Sequence, residues 1–308
     1  MYKERPTLTI FTATYNRRHL LPRLYQSLCR QRSFDFEWLI IDDGSSDNTA
    51  DLVNGWASED LPFQIRFYWQ ENQGLIRTLN RGVMLAKGEY FSKIDSDDYV
   101  VDSYAEDMLM WLEEIRDETD IYGAAGIKIK LDGTPIKGRW PKIETGCYVD
   151  ATDLERKQYD LDADMSEAWR TEVLRKHPFP VWPGEKFAPE QIVFHEIARE
   201  GLRIRWRPIP MCICEYQEEG LTLGARRLER ENPMGYAMMY NYKLKYLPSF
   251  RERAYAAMQM TALSLVGGHP TYILSTYDKL CTALTAIPAV FLSFRRWRQF
   301  KDDEHIGK

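Results

Sequence analysis

The sequence has no surplus of basic charge: 41 lysines and arginines stand against 46 aspartates and glutamates, a formal charge of -5. Proteins that grip nucleic acid through its phosphates need such a surplus, so no nucleic-acid partner is expected for the chain as a whole. Long apolar runs are also missing, and a mean hydropathy of -0.48 excludes a polytopic membrane protein. The opening Met1-Tyr-Lys-Glu-Arg-Pro6 carries no apolar leader core, so the expected location is cytoplasmic. Cysteine is sparse and odd in number: Cys29, Cys147, Cys212, Cys214 and Cys281 are scattered, which excludes a disulfide framework. Cys212-Ile-Cys214 has one residue between the sulfurs, too few for a zinc clip, and reads as alternate positions of a strand. No repeat or low-complexity tract stands out.

What is present is the composition of a soluble globular protein, with 28% charged and 44% hydrophobic residues over 308 positions. That length allows one large α/β domain or two smaller ones. Apolar runs at Leu8–Thr14, Phe36–Asp42, Phe63–Trp69 and Glu89–Ile94 predict four strands. Between them, helical spacing appears over Arg18–Arg32, with Pro22 in the first turn, then through Ala50–Trp56 and from Gly74 to Ala86. Strands alternating with helices on short connections predict a parallel, doubly wound sheet. Beyond residue 100 a helix is expected over Ser103–Arg116, a strand over Ile121–Leu131, and a loop without periodicity from Pro135 to Gly146. Helix-like segments near Leu154 and over Gln191–Arg199 precede a strand from Leu202 to Tyr216.

In a doubly wound sheet, ligands bind beyond the carboxyl ends of the strands. Three polar clusters fall at that edge: Thr14-Tyr-Asn-Arg17, Asp42-Asp-Gly-Ser45 and Asp95-Ser-Asp97-Asp98. The last is the sharpest signal. Three carboxylates within four residues repel one another, and a hard divalent cation, Mn2+ or Mg2+, would relieve that repulsion. An acidic turn capping the next helix is the plainer reading of the same residues.

These clusters, taken with Asn72-x-Gly74, Asn80-x-Gly82 and Gly88-Glu-Tyr-Phe-x-x-x-Asp95, resemble the family 2 nucleotide-sugar glycosyltransferases. Several ordered motifs make the resemblance specific over the first hundred residues. Further on, Gly184-Glu-Lys-Phe187, Pro189-Glu190, Glu219-Gly-Leu-Thr222 and Asn232-Pro-x-Gly235 look like a branch of the same family. The resemblance implies a GT-A type, mostly parallel doubly wound sheet with a C-terminal helical extension. Residues 1–100 would be the nucleotide-sugar half, 101–216 the acceptor half, and 217–308 the helical region.

The resemblance further implies that Asp42 or Asp43 contacts the uracil-ribose end of a UDP-sugar, and that Thr14 lines the same pocket. The implied donor-binding set adds Asn16, Arg17, Asn72, Gly74, Asn80, Lys93, Asp95 and Ser96. Asp95 and Asp97 would form an Asp-x-Asp motif, with Asp98 as a further candidate metal ligand. Many relatives carry Ala-Arg-Asn where this chain has Thr78-Leu79-Asn80, so Arg77 is the nearest candidate for a donor-contacting arginine.

The implied reaction is inverting transfer to a saccharide acceptor, carried on a lipid in many relatives that build surface polysaccharides. Attack needs a base to take the acceptor proton. Glu190, at the start of the predicted helix, matches best; Glu185 is the competitor, and a carboxylate answering a helix dipole is the structural reading of either. His195 is expected to be a packed or surface residue. A non-catalytic sugar-nucleotide-binding or scaffold subunit is the alternative function.

The tail has its own character. Leu280 to Phe294 is a charge-free run of 15 residues, short of the roughly 17–25 needed to cross a bilayer. Arg295-Arg-Trp-Arg298 and Lys301 follow. The combination suits a helix in a membrane interface, a peripheral contact through 280–301 at the inner face of the plasma membrane. A terminal helix packed on the protein's own core, with Pro288 interrupting the pattern, is the other reading.

Overall fold

The computed structural model describes residues 4–215 and 225–306. Glu219–Thr222, one of the family-like segments, lies outside them. The first hundred residues alternate as the apolar pattern predicts: β1 (Leu8–Thr14), α1 (Leu21–Cys29), β2 (Phe36–Asp42), α2 (Thr49–Ala57), β3 (Gln64–Trp69), α3 (Leu75–Leu85) and β4 (Tyr90–Lys93). β2 is buried at every position and β1 at all but one, as strands covered by helices on both faces must be. α1 turns Leu21, Leu24 and Leu28 onto the sheet, and Pro22 lies in its first turn, where its missing N–H leaves no helical bond unmade. Gly82 of α3 is required by contact: a Cβ there would meet the Phe11 ring at 2.4 Å, so α3 lies directly on β1.

The chain continues through β5 (Tyr99–Val100), α4 (Tyr104–Glu114), β6 (Ile121–Ile129), β7 (Val149–Ala151), a 3-10 helix over Asp153–Tyr159, β8 (Met165–Arg170), α5 (Thr171–Lys176), α6 (Gln191–Arg199) and β9 (Arg203–Ile213). One nine-stranded sheet results, in the order β3-β2-β1-β4-β8-β6-β9-β5, with β7 paired to β9. Its first half is wholly parallel. β8 then enters between β4 and β6, antiparallel to both, while β6 and β9 are parallel. The apolar pattern did not announce β8, because Met165-Ser-Glu-Ala-Trp-Arg170 is half polar. It is held by non-local pairing.

Two compact units make up the chain. The first comprises 1–178 and 194–217, the second 179–193 and 218–308. The second contains α7 (Ala225–Glu231), α8 (Pro233–Lys243), α9 (Phe250–Val266), a 3-10 helix over Pro270–Ser275, α10 (Lys279–Leu284) and α11 (Ala286–Ile306). α9 starts on a reciprocal cap between Ser249 and Glu252. The tail's apolar run is two helices rather than one, with the break at Thr285. Pro288 does not interrupt α11; it sits in its first turn, where no intrahelical N–H bond is lost. No helix among the described residues is long and apolar enough to cross a membrane.

Candidate active site

The carboxyl edge of the parallel strands is held in place by buried polar ties. Thr12 on β1 donates to the Ile94 carbonyl at 3.0 Å and accepts from the Trp38 indole at 3.1 Å, so β2, β1 and β4 end in fixed register. The loop after β1 is stitched to the loop after β2. Asn16, at φ 52, donates its N–H to Ser45 Oγ at 2.8 Å and accepts from the Ser46 N–H at 2.9 Å, and the Arg18 N–H donates to Asp47 at 2.9 Å.

The two aspartates after β2 divide their duties. Asp43 is buried and accepts from Gln70 Nε2 at 2.7 Å, the Gln73 N–H at 2.9 Å and the Gly74 N–H at 2.8 Å. It thereby anchors the start of α3, where anionic charge also meets the helix's positive end. Asn72 returns to the Asp43 carbonyl at 2.8 Å. Gly44 must be glycine: φ is 90, and a Cβ would meet the Asn72 nitrogen at 2.9 Å. Asp42, also buried, accepts from the Ser45 N–H at 2.9 Å. Nearby, the buried Thr14 hydroxyl finds no hydrogen-bond partner among the described residues.

In the acidic turn after β4, burial alternates: Ser96 and Asp98 are buried while Asp95 and Asp97 are partly exposed. Asp98 takes the ammonium of Lys128, a β6 residue, at 3.1 Å. Lys128 also lies 3.5 Å from Asp95, Lys93 lies 3.6 Å from Asp95, and Arg17 pairs with Asp97 at 2.8 Å. Three cations thus answer three carboxylates. Burial alone would raise the Asp95 carboxyl, but Lys93, Lys128 and Arg17 outweigh it and hold it at about 2. Burial wins at Asp98, with help from Asp95, and its carboxyl is raised despite Lys128. For Lys128, burial opposes the charge, yet Asp98 and Asp95 push its ammonium well above the ordinary lysine range.

These contacts sort the candidate ligands. Asp98 is committed inward to Lys128, beside Cys212 and Cys214. Asp95 and Asp97 keep side-chain exposures of 39% and 16% and offer the hard anionic oxygens that Mg2+ or Mn2+ prefers, so this pair fits a divalent ion. Sequence reasoning missed Lys128. Its signal was a single charge inside the apolar run Ile121-Tyr-Gly-Ala-Ala-Gly-Ile-Lys-Ile129.

Other expected residues fall as follows. Arg77, on α3, donates to the Gln73 carbonyl at 3.0 Å; Asn80 is half-buried on the same helix. His195 is packed, its Nε2 lying 3.0 Å from Asp153. In the second unit, Glu185 accepts from the Met234 and Gly235 N–H groups at 2.8 and 2.7 Å, while Asn232 accepts from the Lys186 and Phe187 N–H groups at 2.9 Å. These bonds explain why Gly184–Phe187 and Asn232–Gly235 carry paired signals in the sequence: each segment caps the other. A Cβ on Gly235 would strike the Phe187 carbonyl at 2.2 Å. Glu190, half-buried, immediately precedes α6.

A parallel half-sheet with its polar loops and paired aspartates at the carboxyl edge, extended by a mixed second half and C-terminal helices, defines a GT-A type α/β protein. The chain belongs to glycosyl transferase family 2, whose model matches residues 9–168. It is 36% identical over 118 residues to the putative glycosyltransferase EpsH of Bacillus subtilis, covering 38% of this chain and 33% of that protein. Against the chondroitin synthase of Pasteurella multocida it is 32% identical over 142 residues, 45% of this chain and 14% of the synthase. The chain spans about a third of the length of the first curated relatives it matches. Among solved structures it is similar to S. aureus TarS 1-349 in complex with UDP-GlcNAc, with TM-score 0.61, 17% identity, and coverage of 98% of this chain and 92% of that one. It is also similar to the mannosyltransferase PcManGT of Pyrobaculum calidifontis in complex with GDP-Man and Mn2+, with TM-score 0.56, 18% identity, and coverage of 97% and 84%.

Proposed function

We propose that the chain is an inverting, metal-dependent glycosyltransferase that moves a sugar from a UDP-sugar to a saccharide acceptor on a lipid carrier, at the cytoplasmic face of a membrane. The observation that carries this reading is the acidic turn at the carboxyl edge of the parallel strands, where Asp95 and Asp97 remain partly exposed and are balanced by side-chain cations. The unpartnered, buried Thr14 hydroxyl beside Asp42 supports a nucleoside pocket there, since such a group ordinarily has a partner. Donor-bound TarS and PcManGT share the fold, and relatives named as chondroitin and hyaluronan synthases are 32% identical over 142 residues.

In this reading Asp95 and Asp97 hold Mn2+ or Mg2+. When bound, the ion neutralises charge that develops on the departing diphosphate. Arg17 and Lys93 lie against the same carboxylates and supply further positive charge toward phosphate oxygens. Asp42 and Thr14 orient the nucleoside, while Asp43 keeps the Asn72–Gly74 loop and α3 in place. Glu190 takes the proton of the acceptor hydroxyl as it attacks the anomeric carbon from the face opposite the leaving group. Glu185 is the weaker candidate for base because both its oxygens already receive backbone amides. Burial raises its carboxyl even so, against the pull of those amides.

The test is turnover and donor hydrolysis with a panel of nucleotide sugars and Mn2+. Asp97→Asn is expected to cut both by about 100-fold or more while the melting temperature stays near wild type. Manganese-dependent activity that survives the substitution would refute the assignment.

A further inference from the structure

We propose that the outer face of α10 and α11 is a docking surface for an anionic lipid bilayer. Among the described residues, nine of the nineteen large apolar side chains that are exposed fall between Leu274 and Trp297. They are ordered, not scattered. On α11, Ile287, Phe291 and Phe294 recur at steps of four and three, the spacing of one helical face, and on α10 the exposed Leu280 and Leu284 stand four apart. Ile287 is 73% exposed, Phe291 71% and Phe294 64%. The opposite side of α11 is the packed one: Ala289 and Ser293 are buried, and Arg296 donates to Gln259 at 2.6 Å and pairs with Glu229 at 3.2 Å. The helix therefore satisfies its own unit through small and polar residues and turns its large apolar ones outward. A contiguous apolar face of this kind marks an interaction site.

Charge and length select the occupant. Basic side chains bracket the stripe, Lys279 before it and Arg295, Arg298 and Lys301 after it, all exposed. Lys301 lies over the Trp297 ring at 3.8 Å. Among the described side chains of α10 and α11 there is no carboxylate; the acidic run Asp302-Asp303-Glu304 comes only after the basic cluster. From Ile287 to Phe294 the apolar part of α11 covers only about 10 Å, enough to lie in an interface and too little to cross one. Long cationic side chains beside a tryptophan, flanking a shallow apolar stripe, match a plane of acyl chains edged by phosphates. A second copy stacked antiparallel on the same face would set the Lys279 end against the partner's basic cluster. The face so assigned gives the transferase reading its lipid-borne acceptor, and it rests on that reading for its purpose alone.

The test is flotation of the full chain with vesicles of phosphatidylcholine alone and of phosphatidylcholine with phosphatidylglycerol, alongside sedimentation velocity without lipid and donor-nucleotide binding. Wild type is expected to float with the anionic vesicles and to detach on raising salt to about 0.5 M. Each of Arg295→Gln and Arg298→Gln should weaken binding about fivefold. The triple variant Ile287→Ser, Phe291→Ser, Phe294→Ser should stay at the bottom of the gradient, with unchanged melting temperature and unchanged nucleotide binding. Wild type that fails to float at low salt, or a triple variant that floats equally, overturns the proposal. So does a dimer that the triple variant abolishes in protein that never floats, which would assign the face to a second copy. Nucleotide binding reports on the transferase reading separately, so either idea can fail alone.

Discussion

Asp43 and Asp97 are both aspartates at the carboxyl edge of the same parallel sheet, yet they are held by different means. Asp43 is locked by two backbone amides and a glutamine amide, whereas Asp97 is met by the guanidinium of Arg17. A backbone amide cannot leave without remaking the loop. A side chain can rotate away and surrender its carboxylate to another cation. The first arrangement builds a frame and the second leaves a carboxylate able to change partners, although a sequence shows only aspartates in both. In the second unit Glu185 is held as Asp43 is, by two backbone amides at the head of α8; Glu190 stands in the half-buried turn before α6.

The largest effect is expected at Glu190 and Glu185. Glu190→Gln is expected to lower turnover by about 100-fold with donor affinity nearly unchanged. Glu185→Gln is expected to act on the melting temperature instead, because one oxygen becomes a donor facing a backbone N–H. Steady-state kinetics and thermal melts of both variants decide it, and an exchange of the two phenotypes would show that the base has been misassigned. Next in size, Asp43→Ala should cost about 3 kcal/mol of stability, since hydrogen bonds to a charged group contribute roughly 1.5–3 kcal/mol each and partial relaxation recovers some of the loss. Urea titration measures this, and an unchanged midpoint would remove Asp43 from the frame.

A smaller effect sharpens the other side. Arg17→Met removes the cation that competes for Asp97, so Mn2+ alone should bind about tenfold tighter, as expected for lifting one opposing charge at a partly buried carboxylate. Isothermal titration without nucleotide reads this directly; weaker binding would mean that Arg17 aids the metal rather than competing with it. The least effect belongs to a pair at the surface. Burial would lower the His177 imidazole, but Glu200, 2.9 Å away, outweighs it and raises it above its ordinary value. A raised value means that the stabilisation is fully present below the unfolded value near 6.5 and is lost as pH rises through the folded one. The melting temperatures of wild type and His177→Gln should therefore converge as pH rises above the unfolded value near 6.5, and a gap that widens with pH would reverse the sign.

Much of the fold was legible because its signals are local. β1 and β2 are apolar throughout, and the turns after them carry Asn16 and Gly44 where the backbone takes positive φ. The acidic turn was legible for the same reason. Lys128 was not, because its meeting with Asp95 and Asp98 depends on where β6 lands in the sheet, two positions away from β4 with β8 between. A further contact was equally hidden in the sequence. Phe187 and Gly235, some fifty residues apart, pack backbone against glycine, which draws 179–193 into the unit of the C-terminal helices; apolar periodicity has no term for such a contact. In the tail the sequence left two readings open; α11 packs Ala289 and Ser293 inward and leaves Ile287, Phe291 and Phe294 exposed, an arrangement that hydropathy alone does not show.

In the proposed reaction the partly exposed carboxylates Asp95 and Asp97 exchange their internal cations for a metal–nucleotide complex. Mn2+ binding followed by electron paramagnetic resonance, with and without UDP, tests it most directly in wild type and Asp97→Asn. Wild type alone should bind Mn2+ weakly, with binding tightening by about tenfold or more when UDP supplies its phosphates, and Asp97→Asn should show no such tightening at equal thermal stability. Equal Mn2+ affinity with and without UDP in wild type, or undiminished coupling in the variant, would contradict it.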